Sequence, residues 1–377
     1  MFDVYITKAA KYLPNDPVVN DEMEDILGMV NNTASKARRL ILRNNGIKTR
    51  YYAINKQGEI THNNAQLTSQ AIEQLYDDTF SKEDMELLSC GTSSADNLIP
   101  SHTDMVHGVL GGPPVELNSS SGVCCAGMNA LKFGYLSVKS GNTQSAVCTG
   151  SERSSTWMLA SKFEEEIENL KILEEQPVLA FNKDFLRWML SDGAGAFLLQ
   201  NKPVGDISLK IEWMEAYSFA NELEACMYTG GDKMEDGSLK PWQDYEPAQW
   251  LEQSIFTVKQ DVKLLDKYIL EKGTDCTVNA LAKHGVDYRD IDYLLPHVSS
   301  NYFVQPFYKT MLNRGIDIPV SKWFMNLTNV GNVGAASIYL MVEELMNSGK
   351  LKKGEKILLI VPESARFTYA LAYLTVC

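Results

Sequence analysis

The chain of 377 residues is notable first for what it lacks. No stretch approaches the roughly 18–20 uninterrupted apolar residues that a membrane-spanning helix needs. The opening, Met1 to Asp16, has no basic segment followed by an apolar one, so it does not read as a signal peptide, and a cytoplasmic location is expected. The seven cysteines form no CxxC pair and no Cys/His ligand spacing, so neither a disulfide framework nor a zinc site is expected. Histidine is scarce, with only His62, His102, His107, His284 and His297. Basic residues are outnumbered, and the net charge of −13 argues against broad nucleic-acid binding.

What is there is a composition of an ordinary globular protein, 45% hydrophobic and 22% charged. The chain also carries an internal repeat. Ser81–Ser94 and Tyr288–Asn301 both run from a charged turn through an apolar strand with a Leu-Leu pair into a small polar loop, at an offset of 207 residues. Cys125–Gly141 and Val333–Gly349 match at an offset of 208. In the first, Met128, Leu131, Tyr135 and Val138 fall at helical spacing, and in the second Ile338, Met341, Val342 and Leu345 do so. Each helix ends at Ser-Gly, a helix stop, and is followed by a short apolar strand. Any α/β protein repeats strand–loop–helix units, but that does not explain why both pairs keep one offset. Two similar α/β halves are expected, 1–205 and 206–377. Between the matched blocks lie two non-repeating insertions, Thr156 to Trp188 and Phe219 to Tyr268. Such segments commonly cover a site or carry a subunit contact.

Three residues carry the chemistry. Cys125 sits where a turn of small residues enters a helix, and unpaired N–H groups and the dipole there favour the thiolate. An inert buried cysteine is the competing reading. His297 follows the strand Asp292–Pro296. Asn332 stands at the turn into the helix that matches the Cys125 helix, where a plain N-cap is the competing role. If the halves pack as related units, the matched helix N-termini face one another and the three side chains converge. A thiol, an imidazole and a carboxamide around one cavity suit acyl transfer through a thioester.

Several motifs, in order, resemble the β-ketoacyl-acyl-carrier-protein synthase III family of the thiolase superfamily. They are Lys11-Tyr12-Leu13-Pro14 with Asn20, Gly46-Ile47-Lys48-Thr49-Arg50, Cys125-Ala126-Gly127, Ser191-Asp192-Gly193-Ala194-Gly195-Ala196, Pro296-His297, Gly331-Asn332-Val333-Gly334-Ala335-Ala336-Ser337 and Phe367-Thr368-Tyr369. The resemblance implies a thiolase fold, two pseudo-symmetric halves in a five-layered αβαβα core. It implies that Cys125 takes an acyl group from acyl carrier protein or coenzyme A, and that a second, β-carboxylated or β-keto thioester then condenses with it. His297 and Asn332 would donate hydrogen bonds to the thioester oxygen, and the backbone N–H groups of Cys125 and Ala365 would hold the acyl oxyanion. Substrates would arrive on a phosphopantetheine arm with no bound metal or redox cofactor, and the enzyme would be a homodimer.

The departures are informative. The family's Gly-Gly-Gly is Ser364-Ala365-Arg366 here, and a phosphate-binding arginine after the histidine is replaced within Val298–Tyr302. Ile99-Pro100 stands where the family's Phe-Pro reaches across the dimer into the partner's acyl pocket. Cys124 beside Cys125 is unusual, and Cys125 is favoured because Ala-Gly follows it. Together with the insertions these features resemble specialised-metabolism members, the ketosynthases that form dialkylresorcinol or cyclohexanedione precursors. A housekeeping initiation synthase, an acyltransferase to an alcohol or amine and a non-catalytic partner subunit are the alternatives. Chemistry like that of HMG-CoA synthase would need an acid, for which Glu116 is the only nearby residue. Lys36, Arg38, Arg39, Arg43, Lys48 and Arg50 form an acid-free basic run suited to docking an acidic carrier protein, or else a solvated helix face.

Overall fold

The computed structural model describes residues 1–35, 38–164 and 186–377. Nine strands build one large sheet: β1 (Tyr5–Tyr12), β2 (Leu87–Thr92), β3 (Glu116–Ser121), β4 (Ser145–Glu152), β5 (Gly193–Gln200), β6 (Leu209–Ser218), β7 (Tyr293–Pro296), β8 (Lys356–Glu363) and β9 (Thr368–Val376). Seven helices position the site: α1 (Arg38–Asn45), α2 (Asn64–Glu73), α3 (His102–Leu110), α4 (Cys124–Ser140), α5 (Val262–Lys283), α6 (Val304–Asn313) and α7 (Ser337–Met346).

The strand order is 3-2-4-5-1-6-9-8-7. In one block β2 pairs in parallel with β3 and β4, then β4–β5 and β5–β1 run antiparallel. In the other, β7 pairs in parallel with β8, then β8–β9 and β9–β6 run antiparallel. A parallel bridge from Leu294 of β7 to Trp323 occupies the place that β3 takes beside β2. Order and sense thus recur between the segments that share the sequence offset. Within the sheet the blocks join where Tyr5 and Ile6 of β1 meet Lys210 and Leu209 of β6. Parallel strands covered on both faces read as continuous buried runs, and β2 and β4 are buried at every residue.

Hydrophobic clusters separate five layers. Leu67, Ile72 and Val106 from α2 and α3 pack on Leu88, Val147 and Leu198 of the first block. Ile269 and Phe307 from α5 and α6 pack on Leu294, Leu358 and Ile360 of the second. Between the blocks, Met128 and Leu131 of α4 and Ile338 and Leu345 of α7 share one cluster with Leu199 and Leu359. The layering is therefore αβαβα.

The two central helices meet without side chains between them. A Cβ on Gly127 of α4 would lie 2.3 Å from the Ala335 carbonyl oxygen and 2.9 Å from the Tyr339 ring, and one on Gly150 of β4 would lie 2.2 Å from the same oxygen. The Tyr339 hydroxyl donates to the Gly127 carbonyl at 2.8 Å. Glycine is needed here for close approach rather than for an unusual φ.

Gly127→Ala is expected to lower stability by about 1–3 kcal/mol, the cost of overpacking. Gly108→Ala, at an exposed position of α3 with nothing within 4 Å of the added methyl, is expected to raise it by roughly 0.5–1 kcal/mol through helix propensity. Denaturant unfolding of the two variants checks the contrast.

Candidate active site

Successive residues of a helix point about 100° apart, so Cys124 and Cys125 cannot share a direction. Cys124 Sγ lies 3.1 Å from His297 Nε2 and lines an apolar cleft. Cys125 Sγ turns the other way, 3.2 Å from the Val361 carbonyl oxygen of β8 and 3.7 Å from that of Thr368 in β9. The expectation that Cys125 faces His297 is therefore corrected: Cys125 is packed against the second block, and Cys124 is the thiol at the cleft.

His297 continues β7, its backbone N–H donating to Ile360 O at 2.8 Å. Burial pushes its pKa down to about 4, so the ring is neutral around pH 7. Asn332 is clamped between Met189 and Ser191, donating to the first at 3.0 Å and accepting from the second at 2.9 Å. Its Oδ1 accepts from Gly334 N–H at 3.1 Å, which directs the Nδ2 end to other partners. Cys124, His297 and Asn332 line the same cleft.

The cleft measures about 1070 Å³ including its open mouth. Its walls are apolar, with Ile269, Leu270, Phe303 and Phe307 among them. Both insertions contribute: Trp157 and Leu186 from the first, Met227 and Val258 from the second. Residues 165–185 of the first insertion lie outside the described residues.

Two carboxylates escaped the sequence reading. Glu152, at the end of β4, lines the cleft and is buried. It accepts from Ser93 N, Ala335 N, Ser93 Oγ and Ser94 Oγ at 2.7–3.2 Å. Burial outweighs these bonds and raises its pKa to about 7. Glu363, at the end of β8, accepts from the N–H groups of Val123 and Cys125, both at 2.9 Å. The Cys125 N–H expected in the oxyanion hole is thus already engaged. Ala365 anchors the second insertion through its carbonyl, which accepts from Cys226 and Met227. Burial, followed by the charge of Glu363, pushes both adjacent thiols well above the ordinary cysteine range. Glu116 lies at the sheet edge, bonded to Asn142 at 2.9 Å. Ile99 is 87% exposed and is not part of the cleft lining. Among the described residues no three His, Cys, Asp or Glu side chains are grouped to hold a metal ion, and no helix is long and apolar enough to cross a membrane.

Residues 281–371 match the family model for the C-terminal part of 3-oxoacyl-[acyl-carrier-protein] synthase III. The chain is 23% identical over 363 residues to the β-ketoacyl-[acyl-carrier-protein] synthase III of Clostridium novyi, covering 96% of this chain and 95% of that one. The synthase III of Chlorobaculum tepidum is 24% identical over 364 residues, 94% of each chain. The chain is a synthase III-like ketosynthase. Its fold is shared with the tetronic acid condensing enzyme AbyA1, at a TM-score of 0.77, 20% identity and 99% of both chains. It is also shared with OleA of Xanthomonas campestris, solved with lauric acid and lauroyl-CoA, at 0.76, 19% and 100% of both chains.

The basic run of this ketosynthase is divided by the fold. Lys36 lies outside the described residues. Arg50 is fully buried, donating to Asn20 Oδ1 at 2.6 Å and Trp188 O at 2.7 Å, and so is removed from any docking surface. Arg38 is paired with Glu24 at 2.7 Å. Arg39, Arg43 and Lys48 are exposed. The end of α1 packs beside the cleft, where Asn45 Nδ2 donates to Trp188 O and Ser300 Oγ to Asn44 O.

His297 and His102 both have pKa values pushed down by burial to about 4, from an ordinary 6.5. The unfolded chain then binds protons that the folded one refuses. Their contribution to stability is full above pH 6.5 and is lost as pH falls toward 4. Thermal midpoints measured across that window are expected to fall less steeply with acid in His297→Gln than in the wild type.

Proposed function

We propose that this ketosynthase carries an acyl group as a thioester on Cys124 and condenses it with the α-carbon of a second acyl thioester. The observation that carries the reading is the 3.1 Å approach of Cys124 Sγ to His297 Nε2 at an apolar cleft that Asn332 also lines. The thiol proton passes to the neutral imidazole as sulfur attacks the acyl carbonyl, and then to the departing carrier thiolate. In the acyl-enzyme, proton exchange with solvent through the open cleft moves the ring proton from Nδ1 to Nε2, and His297 Nε2–H and the Nδ2 of Asn332 then donate to the thioester oxygen of a β-carboxylated or β-keto partner. Loss of CO₂, or transfer of an α-proton to the Glu152 carboxylate that lines the cleft, leaves a carbanion whose charge spreads onto that oxygen. The carbanion forms the new carbon–carbon bond, and the tetrahedral adduct expels the Cys124 thiolate, which takes up a proton. Each such donor is typically worth about 10²–10³ in turnover.

The carrier is read as acyl carrier protein or coenzyme A, presenting substrate on phosphopantetheine. The names of the synthase III relatives and the lauroyl-CoA in the OleA structure support it. The apolar walls favour an alkyl chain, and insertions that line them fit a specialised lipid or polyketide role. A homodimer is supported by the open edge of β3 and by exposed Leu98, Ile99, Val109, Phe133 and Leu136, of which Phe133 and Leu136 lie on α4 and Val109 on α3, both packed against β3. Two halves divided near 205/206 and a cytoplasmic location belong to the same reading.

Intact mass after mixing with a panel of acyl thioesters tests the nucleophile. One acyl adduct is expected in the wild type and in Cys125→Ala, and none in Cys124→Ala. An adduct that survives in Cys124→Ala transfers the role to Cys125, and no adduct from any donor points to a non-catalytic subunit. For docking, Arg39→Glu with Arg43→Glu is expected to raise KM several-fold for carrier-protein substrates and less for coenzyme A substrates, in steady-state assays. An unchanged KM removes the basic face from the reading.

A further inference from the structure

The positive end of a long helix, with its unpaired N–H groups, ordinarily draws a nearby thiol toward thiolate. Here that end of α4 is already occupied. Glu363 Oε2 accepts from Val123 N–H and Cys125 N–H, the two residues that flank Cys124, each at 2.9 Å. Glu363 reaches this position from the last residue of β8, 238 residues away in the chain, and is 8% exposed. Among the described residues it makes no ion pair with Lys, Arg or His. The dipole of α4 therefore compensates a carboxylate instead of a thiolate.

We propose that Glu363 is a positioning residue that holds the first turn of α4 in place and keeps Cys124 a thiol at rest, so that acylation proceeds only with concerted proton transfer to His297. This inference rests on Cys124 as nucleophile. The charged groups facing the Cys124 thiol raise it, and only its own backbone N–H acts the other way. Glu152 from β4 and Glu363 from β8 are both acidic, Cys125 on α4 is itself a buried thiol, and His297 is neutral. No cation among them stabilises a free thiolate. Both thiols are raised first by burial and next by Glu363. The same carboxylate takes the Cys125 N–H, so the acyl oxygen on Cys124 is left to the N–H of Cys124 itself and of the turn after Glu363, where Ser364 lines the cleft. A ketosynthase built this way has a nucleophile that reacts with a thioester seated against His297 and resists adventitious electrophiles.

Glutamine at 363 keeps an acceptor for both N–H groups and removes the charge; aspartate keeps the charge. The test follows iodoacetamide alkylation of Cys124 against pH by peptide mass, in the full chain carrying Cys125→Ala. With Glu363→Gln, the inflection is expected to fall by at least one pH unit and alkylation at neutral pH to rise about tenfold, one unit being tenfold in thiolate below the inflection. With Glu363→Asp, the inflection is expected to stay near that of the parent. An unshifted inflection in the glutamine variant, or an equal shift in the aspartate variant, overturns the proposal and leaves Glu363 as a helix cap alone. The profile reads charge at Cys124 whether or not a thioester loads there, so failure of acyl loading in the wild type is a separate result that strikes the nucleophile reading.

Discussion

At the centre of the molecule two backbones touch where no side chain fits. Gly127 on α4 and Ala335 at the entry to α7 approach until a single methyl would collide, and the Tyr339 hydroxyl ties one helix to the other. Everything reactive depends on that contact. It places the first turn of α4, with Cys124, beside the turn that holds Asn332. The strands that end there bring His297 from β7, Glu152 from β4 and Glu363 from β8. A close-packed interior cannot relax by small amounts, so the positions of these groups follow from the approach of the two backbones.

The environment so formed is dry, and its electrostatics follow from that. Glu152 accepts four hydrogen bonds, each of which favours its charged form, yet its pKa rises to about 7. Burial therefore wins over hydrogen bonding at this position. The same cause neutralises His297 and raises both thiols. Within this set Cys124 and His297 lie at hydrogen-bond distance, 3.1 Å apart, which gives the thiol proton a direct acceptor.

Much of this was legible in the sequence, and the rest was hidden for physical reasons. The repeat announced the duplicated topology, because the strand order and sense of the two blocks follow the shared offset. His297 and Asn332 were found by the same repeat. The choice between Cys124 and Cys125 rested on the Ala-Gly that follows the second, whereas the 208-residue offset subtracted from Asn332 arrives at 124, the position on the corresponding turn. Arg50 reads as one more charge in a basic run, since charge patterning cannot tell a surface arginine from one that bonds Asn20 and Trp188 inside the fold. Glu363 could not be read at all: its contacts with α4 exist only once β8 lies beside that helix, and nothing local marks it.

The parts of the chain that hold the reacting groups and those that wall the cleft are different. The reacting groups come from the repeated core, at strand and helix ends that one backbone contact fixes. The walls come from α5, α6 and the two insertions, and the insertions have no counterpart in the repeat. A buried methylene is worth about 0.8 kcal/mol, so changes of a few carbons in a bound chain are felt at the walls while the floor stays as it is. Chain selection and bond formation can thus vary separately in this architecture.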